Sequence, residues 1–155
     1  MKYIKLLPIL FLILLLNSCG YKKLNSENFN NFKVNTLEIT GENKLSYKIK
    51  NNIEIYSYRE SKFAYDIKIN LTSIKEAKIK NKAGKTIRYT TRLQADTLIT
   101  NIETKIDYKK TISSINDYDV GSTHSDTLSN EKNAIENNIN YISNEIIKYL
   151  KLLNI

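Results

Sequence analysis

The densest chemistry in this chain lies between Asp117 and Asp126, in NDYDVGSTHSD. Asp117 and Asp119 stand two apart, Asp126 follows, and His124, the one histidine, sits between them. Carboxylates so placed can hold a cation or move a proton. A calcium loop, however, would need its closing Glu, which is absent. A zinc site would need a second His or a Cys nearby, and there is neither. The many serines lack a nucleophile-elbow setting, and four glycines leave no phosphate-cradling loop. His124 reads as a solvated loop residue. The expectation is a protein that is not an enzyme, with no metal and no cofactor. A second cluster, Lys78, Lys80, Lys82 and Lys85, has the charge to meet phosphate, and its plainer reading is a solvated turn.

The only thiol is Cys19. Before it, Lys2 and Lys5 head an apolar run from Leu6 to Leu16. Eleven helical residues span about 16 Å, short of the roughly 20 residues that cross a bilayer. A positive head, a short apolar middle and a small residue before a cut form a secretory leader. Leu16-Asn17-Ser18-Cys19 resembles a bacterial lipobox, in which the thiol is alkylated with diacylglycerol and the chain is cut before the cysteine. A plain leader followed by a free thiol is the alternative, but a leftover Cys in a secreted chain needs an explanation. No second Cys exists for a disulfide. Stable anchoring takes more than one acyl chain, and a triacylated cysteine supplies that. Gly20 in place of Asp points toward the outer membrane.

The expected organisation is residues 1–18 as a lipoprotein signal peptide, 19–31 as a lipidated tether and 32–155 as a single α+β domain. Loss of Lys2 and Lys5 lowers the formal charge from +8 to +6. A basic domain suits nucleic acid, an anionic membrane or an acidic ligand, and secretion argues against nucleic acid.

The elements that must position these residues follow from periodicity. Phe32–Ile39 is rich in β-formers and ends at Thr40-Gly41. Asn43 is placed to cap a helix whose face holds Leu45, Ile49, Ile53 and Tyr56. Phe63, Tyr65, Ile67, Ile69 and Leu71 alternate with polar residues, the mark of a half-buried strand. Gly84 marks the hairpin turn. Ile87, Tyr89, Leu93, Ala95 and Ile99 line a third strand, and Ile106, Tyr108 and Ile112 a fourth. Ser113 to Leu128 reads as a loop, with Ser129 capping a last helix through Ile135, Ile139, Ile142, Ile146, Tyr149 and Leu153. The order β-α-β-β-β-α implies a mostly antiparallel four-stranded sheet with two helices on one face. The other face stays open, with Lys68, Arg88, Arg92 and Lys109 projecting from it as a polar, basic surface. Ordinary exposure to water is its plainer reading.

This organisation resembles the lipopolysaccharide-assembly lipoprotein family, LptE. The likeness lies in the lipobox, then Cys19-Gly20-Tyr21, a short tether, and strand, helix, long hairpin with a basic tip, strand and long final helix in order. The stretch ISSINDYDVGSTHSDTLSNEKNAIENNINYISNEIIKYL is similar to the family's ending. The resemblance implies a non-enzymatic lipoprotein of the cell outer membrane, lipid-anchored on the periplasmic side. Its partners would be the outer-membrane β-barrel LptD, which it plugs, lipopolysaccharide, and the membrane through acylated Cys19. Lys78, Lys80, Lys82 and Lys85 would meet lipopolysaccharide, and Lys68, Arg88, Arg92 and Lys109 would face the partner. The rival reading is a lipid-anchored adaptor binding peptidoglycan or another envelope protein. A secreted hydrolase ranks below both.

Overall fold

The structure, a computed structural model, describes residues 31–154, so the leader, Cys19 and all of the tether but Asn31 lie outside the described residues. The elements run β1 (Lys33–Gly41), α1 (Asn43–Glu54), β2 (Ala64–Lys80), β3 (Thr86–Asn101), β4 (Asp107–Asp119) and α2 (His124–Leu152). The class is α+β, in the order β-α-β-β-β-α. The sheet order is β1-β2-β3-β4. β1 runs parallel to β2, and the other two pairings are antiparallel. The sheet is therefore mixed, with one crossover through α1 and two hairpin connections.

Alternation decides which face is buried. Tyr65, Ile67, Ile69 and Leu71 of β2 point the same way as Leu93, Ala95 and Ile99 of β3 and Ile112 of β4. They pack against Ile49 and Ile53 of α1 and Ile139, Ile142, Ile146 and Leu150 of α2. Burying one such aliphatic side chain contributes about 1.5–3 kcal/mol, so this single layer between sheet and helices is the main stabilising feature. The helices are also joined to each other. Lys48 Nζ lies 2.6 Å from Glu136 Oε1, and Asn52 Nδ2 donates to Ser143 Oγ at 3.3 Å.

β1 can stop and turn only because residue 41 is glycine. Gly41 has φ +95°, and a Cβ there would stand 2.0 Å from the carbonyl oxygen of Leu71. Both the left-handed backbone and the close approach exclude a side chain.

Four expectations are corrected. The segment 113–128 is not a loop: β4 continues to Asp119, and α2 begins at His124. Thr123, not Ser129, caps that helix. Its Oγ1 accepts from Asp126 N at 3.1 Å, while Asp126 Oδ2 accepts from Thr123 N at 3.1 Å, a reciprocal capping box. His124 accordingly sits in the first helical turn rather than in a loop. Tyr56 lies beyond the end of α1 and is half-exposed, so it does not share the buried face of Ile49 and Ile53.

The reason 113–119 hid its strand character is chemical. Its inward residues are Ser114, Asn116 and Tyr118, which carry no apolar alternation. They meet a polar seam on α2 instead. Asn138, 1% exposed, donates from Nδ2 to Thr91 Oγ1 at 3.0 Å and to Thr91 O at 3.3 Å, and accepts from Asn116 Nδ2 at 2.7 Å. Buried polar groups satisfied in this way are tolerated inside a core.

Candidate functional site

The open face of the sheet is a set of side-chain rungs. From the chain-entry end they read Thr36-Asp66-Thr100-Asp107, Glu38-Lys68-Leu98-Lys109, Thr40-Asn70-Asp96-Thr111, Thr72-Gln94-Ser113, Ile74-Arg92-Ile115 and Glu76-Thr90-Asp117. Cross-strand contacts within them are dense. Thr100 Oγ1 donates to Asp107 at 2.6 Å, Thr111 Oγ1 to Asp96 at 2.7 Å, Thr90 Oγ1 to Asp117 at 2.7 Å, and Thr36 Oγ1 to Asp66 at 2.6 Å. Hydrogen bonds from Thr36 and Asn35 hold the Asp66 carboxyl below the usual carboxylate range.

Lys68, Arg88, Arg92 and Lys109 all lie on this face, as alternation required, but the face is not basic. It carries Glu38, Asp66, Glu76, Asp96, Asp107, Asp117 and Asp119 against Lys68, Lys78, Arg88, Arg92 and Lys109. Seven carboxylates against five cations leave it mixed. Three of the five cations are in ion pairs. Lys78 Nζ donates to Asp117 Oδ2, and Arg88 binds Asp119 with Nε at 2.5 Å and Nη2 at 3.1 Å. These pairs hold Asp117 and Asp119 below the carboxylate range: the hydrogen bond from Lys78 acts first on one, and that from Arg88 on the other. Lys68 stands 3.6 Å from Glu38. Arg92 differs, since it lies between Ile74 and Ile115, both half-exposed.

The hairpin tip is the basic place. β1 ends opposite Leu71, so the outer edge of β2 from Thr72 to Lys80 has no neighbouring strand among the described residues. Its lysines and its irregular register blunt that edge. β4 reaches as far as Arg88 on the other side, which leaves residues 79–87 projecting. The loop Asn81–Lys85 is held from within. Asn81 Oδ1 accepts from Ala83 N and Lys85 N, both at 3.0 Å, and Asn81 N donates to Lys85 O at 2.9 Å. Gly84 takes φ +78°. Lys80, Lys82 and Lys85 are exposed and form no ion pair among the described residues. Strand alternation would set Lys78, Lys80 and Lys82 on one face only as far as a regular strand lasts, and it does not last. The register shifts between Ala77 and Ile79 and again before Lys80, and Lys82 lies in the turn. The tip cluster is therefore Lys80, Lys82 and Lys85, with Lys78 drawn onto the open face by Asp117.

Below the tip, on the helix side, sequence reading missed a joint. Lys75 Nζ lies 2.8 Å from both carboxylate oxygens of Glu131 and 4.9 Å above the Tyr89 ring, which stacks on Tyr118 at 5.5 Å. It ties the projecting hairpin to the first turns of α2. Burial pushes the Tyr118 hydroxyl's pKa up. The alternation of Lys75 with Ile74 was visible in the sequence; its partner 56 residues away was not. The acidic residues that might have done chemistry are all engaged elsewhere: Asp117 and Asp119 in ion pairs, and Asp126 in the helix cap. Among the described residues no group of three or more His, Cys, Asp or Glu side chains is placed to hold a metal.

No protein-family model matches the chain, and no curated protein sequence matches it significantly. Solved structures do. A candidate lipoprotein from Caulobacter crescentus CB15 superposes with TM-score 0.53 at 15% identity, over 76% of this chain and 88% of that one. Rare lipoprotein B from Shewanella oneidensis gives TM-score 0.50 at 9% identity, over 76% and 89%. An uncharacterized lipoprotein B from Nitrosomonas europaea gives 0.56 at 10%, over 79% and 84%. At such identities the likeness is one of fold.

Proposed function

We propose that this chain is an outer-membrane lipoprotein, acylated at Cys19, that fills and supports a large β-barrel of the LptD kind in placing lipopolysaccharide in the outer leaflet. The observation that carries the reading is the fold, shared over most of the described domain with structures named as lipoproteins. The lipobox-like Leu16-Asn17-Ser18-Cys19 supports the anchor.

The surface chemistry supports the rest. The interior of a large barrel is polar. An open sheet face of mixed charge, with Thr, Asn, Gln and Ser between the charges, offers donors and acceptors to such a wall. It needs no strongly basic surface to do so. The work is that of a scaffold rather than a catalyst. Lys80, Lys82 and Lys85, at a pre-shaped loop and without a carboxylate partner among the described residues, are suited to the phosphates of lipopolysaccharide through charge-assisted contacts.

Co-purification in mild detergent tests the reading. The anchored protein should carry a large, heat-modifiable barrel with it. Photo-crosslinkers at Lys68, Arg92 and Lys109 should capture that barrel. Capture of peptidoglycan or a soluble envelope protein instead, with no barrel, refutes the plug. Replacing Lys80, Lys82 and Lys85 together by Gln should weaken binding of purified lipopolysaccharide about ten-fold, since each exposed pair contributes about 0.2–1 kcal/mol.

A further inference from the structure

The pole opposite the hairpin tip is where the loop after α1, the β3–β4 turn and the end of α2 meet. Tyr58 N donates to Phe32 O at 2.8 Å, Lys33 N to Phe63 O at 2.8 Å, and Ile102 N to Ala64 O at 2.9 Å. The ammonium of Lys151 lies 5.5 Å over the Tyr56 ring. Three separate segments therefore end side by side.

Each of them leaves apolar surface in water. Ile55 is 77% exposed, Leu152 62% and Tyr58 49%, with Tyr56 and Ile106 about half-exposed. A single exposed Leu or Ile needs no explanation, but convergence at one end does. Exposed charges of both signs, Arg59, Lys62 and Lys105 with Glu54, Glu60 and Glu103, stand among them. Tyrosines with an apolar body and a wet tip, aliphatic side chains and a charged rim in which Arg59, Lys62 and Lys105 alternate with Glu54, Glu60 and Glu103 make up a surface suited to the lipid–water boundary.

The chain enters the domain at this same pole. The Asn31 carbonyl accepts from Ser61 Oγ at 2.6 Å and from Asn154 Nδ2 at 2.9 Å, which fixes the point of entry. From Cys19 to Asn31 is twelve residue steps, a length that cannot exceed about 43 Å however it is arranged. A lipid on Cys19 would thus keep this pole within about 43 Å of the membrane and makes it the part of the domain nearest the anchor.

We infer that in the anchored protein, before a barrel engages it, this pole lies on the lipid surface. Ile55, Tyr58 and Leu152 enter the headgroup region, and Arg59, Lys62 and Lys105 meet anionic headgroups. Anchor and pole then form a two-point attachment. The open sheet face and the basic tip are left clear of the membrane and available to a partner. The inference rests on the reading of Cys19 as the anchor.

The test uses acylated full-length protein reconstituted in vesicles of phosphatidylethanolamine and phosphatidylglycerol, without a barrel. The lipid occupies the Cys19 sulfur, so Tyr58→Cys supplies the one free thiol for an environment-sensitive dye. Its emission should shift to the blue and be quenched by spin-labelled lipid. A dye on Ala83→Cys, at the tip, should remain water-like. A second arm uses the mature chain from residue 19 onward with Cys19→Ser, which has neither the apolar leader nor an acyl anchor. Replacing Ile55, Tyr58 and Leu152 together by Ser should lower its partition into the same vesicles about ten-fold or more. The Gln variant of Lys80, Lys82 and Lys85 should partition as the parent does. A dye at position 58 as wet as that at 83, or a triple-Ser chain that partitions like its parent, overturns the inference. If palmitate labelling finds Cys19 unmodified, the anchor reading fails by itself, and the Cys19→Ser arm alone decides the role of the pole.

Discussion

Replacing Asn138 by Ala should destabilise the domain by about 2–4 kcal/mol. The side chain is almost fully buried and makes three hydrogen bonds, two to Thr91 and one from Asn116. A buried hydrogen bond contributes a net ~1 kcal/mol, and a partner left unsatisfied costs about 1–3 kcal/mol. Thr91 is buried and cannot turn to water, although its Oγ1 keeps a donation to the Asn116 carbonyl at 3.2 Å. Asn116 is only half-buried, so water can replace part of its loss. Those opposing terms set the range. In a domain of this size ~1 kcal/mol moves Tm by about 4 °C, which gives a fall of about 8–16 °C. The assay is urea and thermal unfolding of the mature chain from residue 19 onward with Cys19→Ser, followed by circular dichroism. Asn116→Ala alone should cost about 1 kcal/mol. The two substitutions should be non-additive by at least about 0.5 kcal/mol, because they share one hydrogen bond. A loss under about 0.5 kcal/mol for Asn138→Ala, or strict additivity of the pair, would refute the polar seam as the joint between α2 and the sheet.

Gly41→Ala should cost more than about 2 kcal/mol, since it combines a positive φ with a Cβ driven into the Leu71 carbonyl; a urea midpoint within error of the parent would contradict this. Thr123→Ala should cost about 1 kcal/mol through loss of the α2 cap, with far-ultraviolet dichroism showing a shorter helix. Asp66, Asp117, Asp119 and Asp126 are all held below their ordinary pKa. The unfolded chain therefore binds more protons than the folded one in acid. Their stabilisation is complete above the usual carboxylate range near pH 4 and is lost as pH falls through the folded values. Asn at Asp117 and Asp119 should flatten that acid loss, measured as urea midpoints at neutral and acid pH. Cys19→Ser should abolish palmitate labelling in cells, and equal labelling would end the anchor reading.

Much of the architecture could be read before any coordinates. In β2 the strict alternation of Tyr65, Ile67, Ile69 and Leu71 with Asp66, Lys68 and Asn70 fixes both the strand and its buried face, because side chains on a strand repeat every two residues. Ile139, Ile142 and Ile146 likewise placed the inner stripe of α2. Apolar burial is local in its pattern, so it is legible in order along the chain. The reading of Cys19 is local in the same way, since it rests on a few neighbouring residues.

Polar pairing was not legible, because its partners are distant in sequence and any polar residue can also face water. The strand at 113–119 was hidden until Asn138, 22 residues beyond Asn116, was seen to satisfy it. Lys78 looked like part of a lysine cluster until the fold brought Asp117 within reach of it, 39 residues on. The charge of the open face followed the same rule. Counting lysines and arginines made it basic, and only the cross-strand register set seven carboxylates beside them. The pole at the chain's entry was hidden too, since Ile55, Ile106 and Leu152 come to the same end of the domain only when the chain folds. Periodicity determines what a segment buries, whereas tertiary structure decides which charges and exposed side chains meet, because contact between them depends on distance in space rather than along the chain.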